Sequence, residues 1–225
     1  PALQLDTAEQ ELYKLAEIDS LRWRDDFSFH ESYVDYYHKH PAYDAYPVVN
    51  VSHAGAELYC KWLEDIMNAQ SELGLSYKVT LPSREQWIAA AKGGMAHSTY
   101  PWGGPYLKNL EGSALSNFVQ IGAENVHWNP ETESYEIKIT NGSYGAYMGV
   151  AGQLNDNADI TAPVKSYAPN DFGLYNMSGN VAEMVKEEGL ACGGGWRSPG
   201  FDIRCVSTLQ YKGAQPDLGF RPIVE

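Results

Sequence analysis

Up to Gly94 the chain repeats its apolar positions at helical spacing, and beyond it the long period disappears. Thr7 opens the run TAEQELYKLAEI with Gln10 in capping-box position, and Leu12, Leu15 and Ala16 form an apolar stripe behind it. A second helix is predicted after Ser52. There Ala54, Leu58, Trp62 and Ile66 recur every four residues with Tyr59 and Leu63 beside them, and Gly74 lies beyond the end. A third starts at LPSREQW, with Ser83 as N-cap, Gln86 as its partner, Trp87, Ala90 and Ala91 as the buried face, and Gly93-Gly94 as the stop. From Met95 onward Gly, Pro, Asn and Asp punctuate short apolar runs, and strands are predicted over 134–140, 192–196, 204–209 and 219–224. Helices first, then short strands between long irregular loops, predict an α+β chain rather than α/β. Without a low-complexity linker or internal repeat, residues 1–225 read as one domain. Loops of this length inside a compact domain are normally functional or held by something such as a metal.

Composition narrows the function classes. The 16 Tyr and 6 Trp suit an irregular core in which a hydroxyl or indole N–H finds a backbone partner. A net charge of −13 argues against nucleic acid as partner, because phosphate binding needs clustered Lys and Arg. It fits divalent cations and an ordinary solvated surface equally. No run approaches the ~18 apolar residues of a membrane span. The opening PALQLDTAEQ carries no signal-peptide pattern and reads as a mature or trimmed start. Three cysteines, Cys60, Cys192 and Cys205, allow one disulfide and no framework, and there is no CxxC or zinc-type spacing.

Six collinear segments carry a family resemblance: YPVVNVSHAGAELYCKWL (46–63), LPSREQWIAAAKGG (81–94), YPWGG (100–104), TAPVKSYAPNDFGLYNMSGNVAEMV (161–185), CGGGWRS (192–198) and the terminal GFRPIV. Together they resemble the formylglycine-generating enzyme, or sulfatase-modifying factor, family. The resemblance covers about residues 46–225, with 1–45 as an N-terminal helix-and-loop extension. It implies a C-type-lectin-like α+β fold, rich in loops and poor in regular structure.

In NDFGLYNMSGNVAEM, Gly173 and Gly179 suit tight turns or close backbone approach, and Leu174, Met177 and Val181 would face the core. Asn176 and Glu183 are oxygen donors in a segment otherwise suited to burial, and a buried carboxylate needs a counter-charge. The resemblance implies calcium here, held by the Asn176 and Glu183 side chains and the Gly179 and Val181 carbonyls; hard oxygens at irregular spacing are what calcium accepts. A second calcium site is implied at the Asn117 and Asp156 side chains with the Phe118 and Ala158 carbonyls. The alternative is that these Asn and Asp residues cap turns.

Active family members bind copper(I) through two cysteines that follow a GGSW-like strand, thiolates being the ligands that soft ion needs. Here the first position is Ser198 and the second falls on or near Ile203, so no copper is expected and no catalytic residue is assigned. Cys192 and Cys205 are either bonded to each other or free buried thiols. Within the same groove Arg197, Ser198 and Arg204 are the candidates for any other chemistry. The related iron-dependent sulfoxide synthases need a three-histidine set with an HxxxHxE motif that the six histidines here do not form. His38 and His40 could share a metal or be a loop feature.

SYVDYYHKHPAYDAYPVVNVS, YPWGGPYLKN and GNVAEMV are also similar to non-catalytic envelope lipoproteins of Bacteroidota that serve type IX secretion and gliding motility. That similarity implies a periplasmic or outer-membrane-associated module. Its partners would be other envelope proteins or a peptide or protein ligand, with an oligomer as one form. Tyr33, Tyr36, Tyr37 and Tyr43 either form a contact patch or pack on the domain's own loops. The competing expectation is a metal- or oxygen-dependent enzyme with a non-cysteine site.

Overall fold

The computed structural model describes residues 7–24, 30–71, 74–119, 126–137, 158 and 160–225. The helices fall where periodicity and caps place them. Helix α1 spans Thr7–Ala16 and α3 spans His53–Ala69, with Ser52 Oγ accepting the Gly55 amide at 3.0 Å as its N-cap. Helix α4, Arg84–Lys92, has a complete capping box between Ser83 and Gln86 and ends on Gly93 at φ 56°. A short helix α2, Glu31–Tyr36, was not predicted, because a six-residue helix offers no full period to detect.

The strands are shorter than the sequence suggests. They are β1 (Val79–Thr80), β2 (Val126–Asn129), β3 (Ser134–Ile137), β4 (Ala182–Met184), β5 (Leu190–Cys192), β6 (Thr208–Gln210), β7 (Leu218–Phe220) and β8 (Ile223–Val224). β5 stops at Cys192, and the predicted 192–196 strand fails because Gly193 and Gly194 sit at φ 83° and 64°. The predicted 204–209 strand begins only at Thr208, and 219–224 is broken at Arg221-Pro222 into β7 and β8. The tail of the predicted 134–140 strand lies outside the described residues.

Four strands form the central sheet in the order β6-β5-β4-β7, with β4 and β7 parallel and the other pairs antiparallel. β1 pairs with β8, and β2 with β3, as separate antiparallel two-stranded sheets. One apolar cluster joins α3 to the sheet through Ala56, Cys60, Leu81, Met184 and Leu218. The inward face of α3 carries Ala56 and Cys60 with Leu63 and Met67 packed beside them, while Trp62 is 53% exposed and Tyr59 42% exposed.

A second cluster docks the N-terminal residues onto the core. Trp23 is fully buried among Val34, Tyr37, Val49, Val181 and Trp196, and its ring lies 5.0 Å from that of Tyr37. The Tyr37 hydroxyl is 2.8 Å from both the Pro47 carbonyl and Thr161 Oγ1. Tyr33 and Tyr43 pack against the same cluster, so the tyrosines fold mainly onto their own domain, and of the four only Tyr36 is largely exposed, at 56%. Cys60, Cys192 and Cys205 are all free and buried. Among the described residues no helix is long and apolar enough to cross a membrane.

Candidate functional site

The site grows from the turn Asn176–Val181 that feeds β4. Asn176, Gly179 and Asn180 all have positive φ (53°, 69° and 68°), conformations that Gly and Asn adopt most readily. At Gly179 a Cβ would collide with the Asn117 carbonyl and Ser116 Oγ, so no other residue lets the turn approach that closely. The approach is fixed by the Asn180 amide donating to the Asn117 carbonyl at 2.8 Å and by the Asn180 side chain bracketing Ala162, its Oδ1 accepting from the Ala162 N–H and its Nδ2 donating to the Ala162 carbonyl. The structure thus brings the Asn117 segment against the GNV turn.

Glu183, in the middle of β4, is 4% exposed. Its carboxylate accepts from Trp87 Nε1 at 2.7 Å and from Arg221 through Nε (3.0 and 3.1 Å) and Nη2 (2.7 Å). Arg221 also donates to the Tyr175 carbonyl at 3.0 Å. The nearby Glu183 charge holds the Arg221 guanidinium above the usual arginine range. Sequence reasoning asked for a counter-charge to Glu183 but did not find Arg221. That pairing depends on β7 lying parallel to β4, with Gly219 beside Glu183, which no local pattern announces.

Asn176, Val181 and Glu183 line one cavity of about 240 Å³ together with Arg221. The Asn176 side chain donates from Nδ2 to the Pro163 carbonyl at 3.1 Å, while its buried Oδ1 has no hydrogen-bond partner among the described residues. Asn117 repeats the pattern: it is fully buried, donates to the Ile160 carbonyl at 2.6 Å, and its Oδ1 has no partner among the described residues. An unpaired buried acceptor costs about 1–3 kcal/mol unless something supplies positive charge or a donor. Two such amide oxygens at the two implied calcium positions fit a hard cation. The fit is uneven, because both Glu183 oxygens already accept hydrogen bonds. Phe118 and Ala158 are buried beside Asn117 and Ile160, while Asp156 lies outside the described residues. Among the described residues no three His, Cys, Asp or Glu side chains cluster as a metal site. His40 Nδ1 accepts the Ala42 amide at 3.2 Å.

The groove candidates sit on the loop after β5. A Cβ on Gly194 would meet Ile203 Cγ2 at 2.8 Å and Ser198 Cβ at 3.1 Å, so positions 198 and 203 flank a single point. Ser198 is 7% exposed, and its Oγ accepts the Gly195 amide at 3.0 Å. Ile203 is fully buried with Tyr100, Ala114 and Phe118. Arg197 lies over the Trp196 ring at 4.7 Å; Arg204 lies over Phe201 at 3.5 Å and donates to the Phe201 carbonyl. Both cations are thus engaged with rings beside them in sequence. The three thiols lie elsewhere, in two apolar clusters that do not contain Ser198. Burial pushes the Cys60 and Cys192 thiols up to about 11 and raises Cys205 as well, so all three stay protonated at neutral pH.

Comparison with known proteins gives this arrangement a family. The inactive Cα-formylglycine-generating enzyme 2 of Bos taurus is 27% identical over 144 residues, which is 64% of this chain and 33% of that protein. The formylglycine-generating enzyme of Thermomonospora curvata is 31% identical over 138 residues, 61% of this chain and 32% of the relative. The chain spans about a third of the length of these curated relatives. Among solved structures, PvdO from Pseudomonas aeruginosa aligns with TM-score 0.48 and 19% identity over 80% of this chain and 62% of its own. CarF aligns with TM-score 0.45 and 22% identity over 83% of this chain and 69% of its own. The sulfatase-modifying factor enzyme 1-like domain profile matches residues 7–225, and the chain belongs to that family.

Proposed function

We propose that this chain is a non-catalytic, calcium-stabilised formylglycine-generating-enzyme-like module, a structural or protein-binding part of a bacterial cell-envelope assembly of the type IX secretion or gliding kind. The observation that carries the non-catalytic reading is the pair of positions facing Gly194. By the family resemblance the two thiolate positions for copper(I) fall on Ser198 and on or near Ile203, a hydroxyl and a sec-butyl group that both flank Gly194. Similarity to a relative named as inactive supports the same reading. The calcium part is supported by the Asn176 and Asn117 oxygens, which have no partner among the described residues. If bound, calcium would hold the GNV turn against the Asn117 segment and supply no redox chemistry. The envelope role is supported by motif similarity to the motility and secretion lipoproteins.

Metal analysis with calorimetry separates the parts. We expect purified protein to take up no stoichiometric copper(I) and to leave a cysteine-containing substrate peptide unoxidised. Stoichiometric copper or iron, or aldehyde on the peptide, would falsify the non-catalytic reading in favour of an enzyme using Arg197, Ser198 or Arg204. For calcium, EDTA should lower the melting temperature of the wild-type protein and lower that of Asn176→Ala by less, the remainder belonging to the Asn117 position. A wild-type melting temperature indifferent to EDTA removes calcium from the proposal.

A further inference from the structure

Part of the apolar stripe of α3 walls an open cleft. Leu58, Tyr59 and Trp62 on α3, Ala16 and Ile18 at the end of α1, and Phe220 on β7 enclose about 640 Å³. Tyr59 contacts both Trp62 and Phe220, with ring centroids 5.4 Å apart in each case. A cavity of this size is in the range of built ligand sites, about 300–1,000 Å³. The floor is formed by helix-to-helix packing: at Gly55 a Cβ would meet the Leu15 carbonyl at 2.6 Å. The apolar surface continues along α1, where Leu12 is 47% exposed and lies one turn before Ala16 on the same face. An amphipathic helix that leaves its apolar stripe half in water marks an interaction surface.

Charge restricts the occupant. No lining side chain is charged at neutral pH. Two exposed carboxylates adjoin the lining in sequence: Glu17 between the lining residues Ala16 and Ile18, and Asp65 one helical turn beyond Trp62. Neither has an ion-pair partner among the described residues, and the chain as a whole carries −13. We propose that this cleft receives a basic amphipathic segment of a partner protein. A large aromatic or branched side chain would enter against Tyr59 and Trp62, with Lys or Arg residues meeting Glu17 and Asp65. This rests on the protein-binding part of the proposed role and names the face that carries it.

The test uses the chain as described and a labelled synthetic peptide with Leu and Trp on one helical face and Lys on the other, followed by fluorescence anisotropy. A peptide of the same apolar pattern with Glu in place of Lys is the control. The Lys peptide should bind and the Glu peptide should not. Trp62→Ala should weaken binding by about tenfold or more, as loss of an aromatic anchor does. Asp65→Lys with Glu17→Lys should weaken it several-fold and flatten its salt dependence. Because Trp62, Glu17 and Asp65 are exposed, unchanged circular dichroism is the accompanying control. Equal binding of the Glu peptide, or full binding by Trp62→Ala, overturns the proposal. So does self-association that Trp62→Ala abolishes without any peptide affinity, which would make the occupant a second copy. Absence of any peptide binding also overturns it, and leaves the copper and calcium tests of the proposed function untouched.

Discussion

At the scale of single residues, Glu183 joins α4, β4 and the chain end. It takes the Trp87 indole from α4 and the Arg221 guanidinium from between β7 and β8. Removing one partner of a buried pair leaves an uncompensated charge, which typically costs about 3–5 kcal/mol. Arg221 is partly solvated, with 34% of its side chain exposed, so Glu183→Ala is expected at the lower end of that range. Urea denaturation measures it, and a loss below about 1 kcal/mol would show that water replaces the pair. The same scale decides the groove chemistry. Ser198→Cys alone should gain no copper(I) affinity, because the residue across Gly194 is still Ile203. Ser198→Cys combined with Ile203→Cys should gain it, as read by titration against a competing copper(I) chelator. If the single variant binds as tightly as the double, these positions do not face each other as the structure has them.

Among the elements, glycines and thiols set the limits. Gly179 meets the Asn117 backbone oxygen as well as Ser116 Oγ, so Gly179→Ala has no cheap relaxation. A positive φ with backbone overlap is expected to cost about 3 kcal/mol or more, or to prevent folding, read as soluble yield and unfolding midpoint. Helix α3 carries Cys60 and strand β5 carries Cys192, both in apolar clusters. Their folded-state thiols titrate near 11 against an ordinary value of 9.0. A raised pKa favours the protonated fold, so this contribution is fully present below pH 9 and fades as pH rises toward 11. Stability should fall across that window, and Cys60→Ala or Cys192→Ala should flatten the fall. Buried protonated thiols should also resist a disulfide reagent at pH 8 until the protein unfolds; fast reaction of all three in the native state would contradict the burial.

For the whole molecule, the N-terminal residues are part of the packed domain. Trp23 is fully buried against Tyr37, Val181 and Trp196, so Trp23→Ala should cost about 3–5 kcal/mol. It should also open residues 30–46 to limited proteolysis, detected by mass spectrometry of the first fragments. A variant cut no faster than the wild type would mean that α2 and the tyrosine cluster hold themselves in place. Local signals made part of this architecture legible. The Ser52 and Ser83 caps, the Gly93 stop and the α+β texture all rest on neighbours in sequence. The strands were less legible, because Gly193, Gly194 and Arg221-Pro222 interrupt runs whose composition alone looks extended.

The sequence by itself determined the helix starts and stops, the six collinear motifs, and the lack of any cysteine between Cys192 and Cys205, because each is a property of residue identity at fixed spacing. Only the tertiary structure decided what those residues meet. The parallel pairing of β7 with β4 delivers Arg221 to Glu183, and the close approach at Gly179 brings the Asn117 segment against the turn. The choice of Ala56 and Cys60 as the inward face of α3 leaves Tyr59 and Trp62 lining an open cleft. Helical periodicity states that a face is apolar, and packing against the sheet selects which part of it is buried.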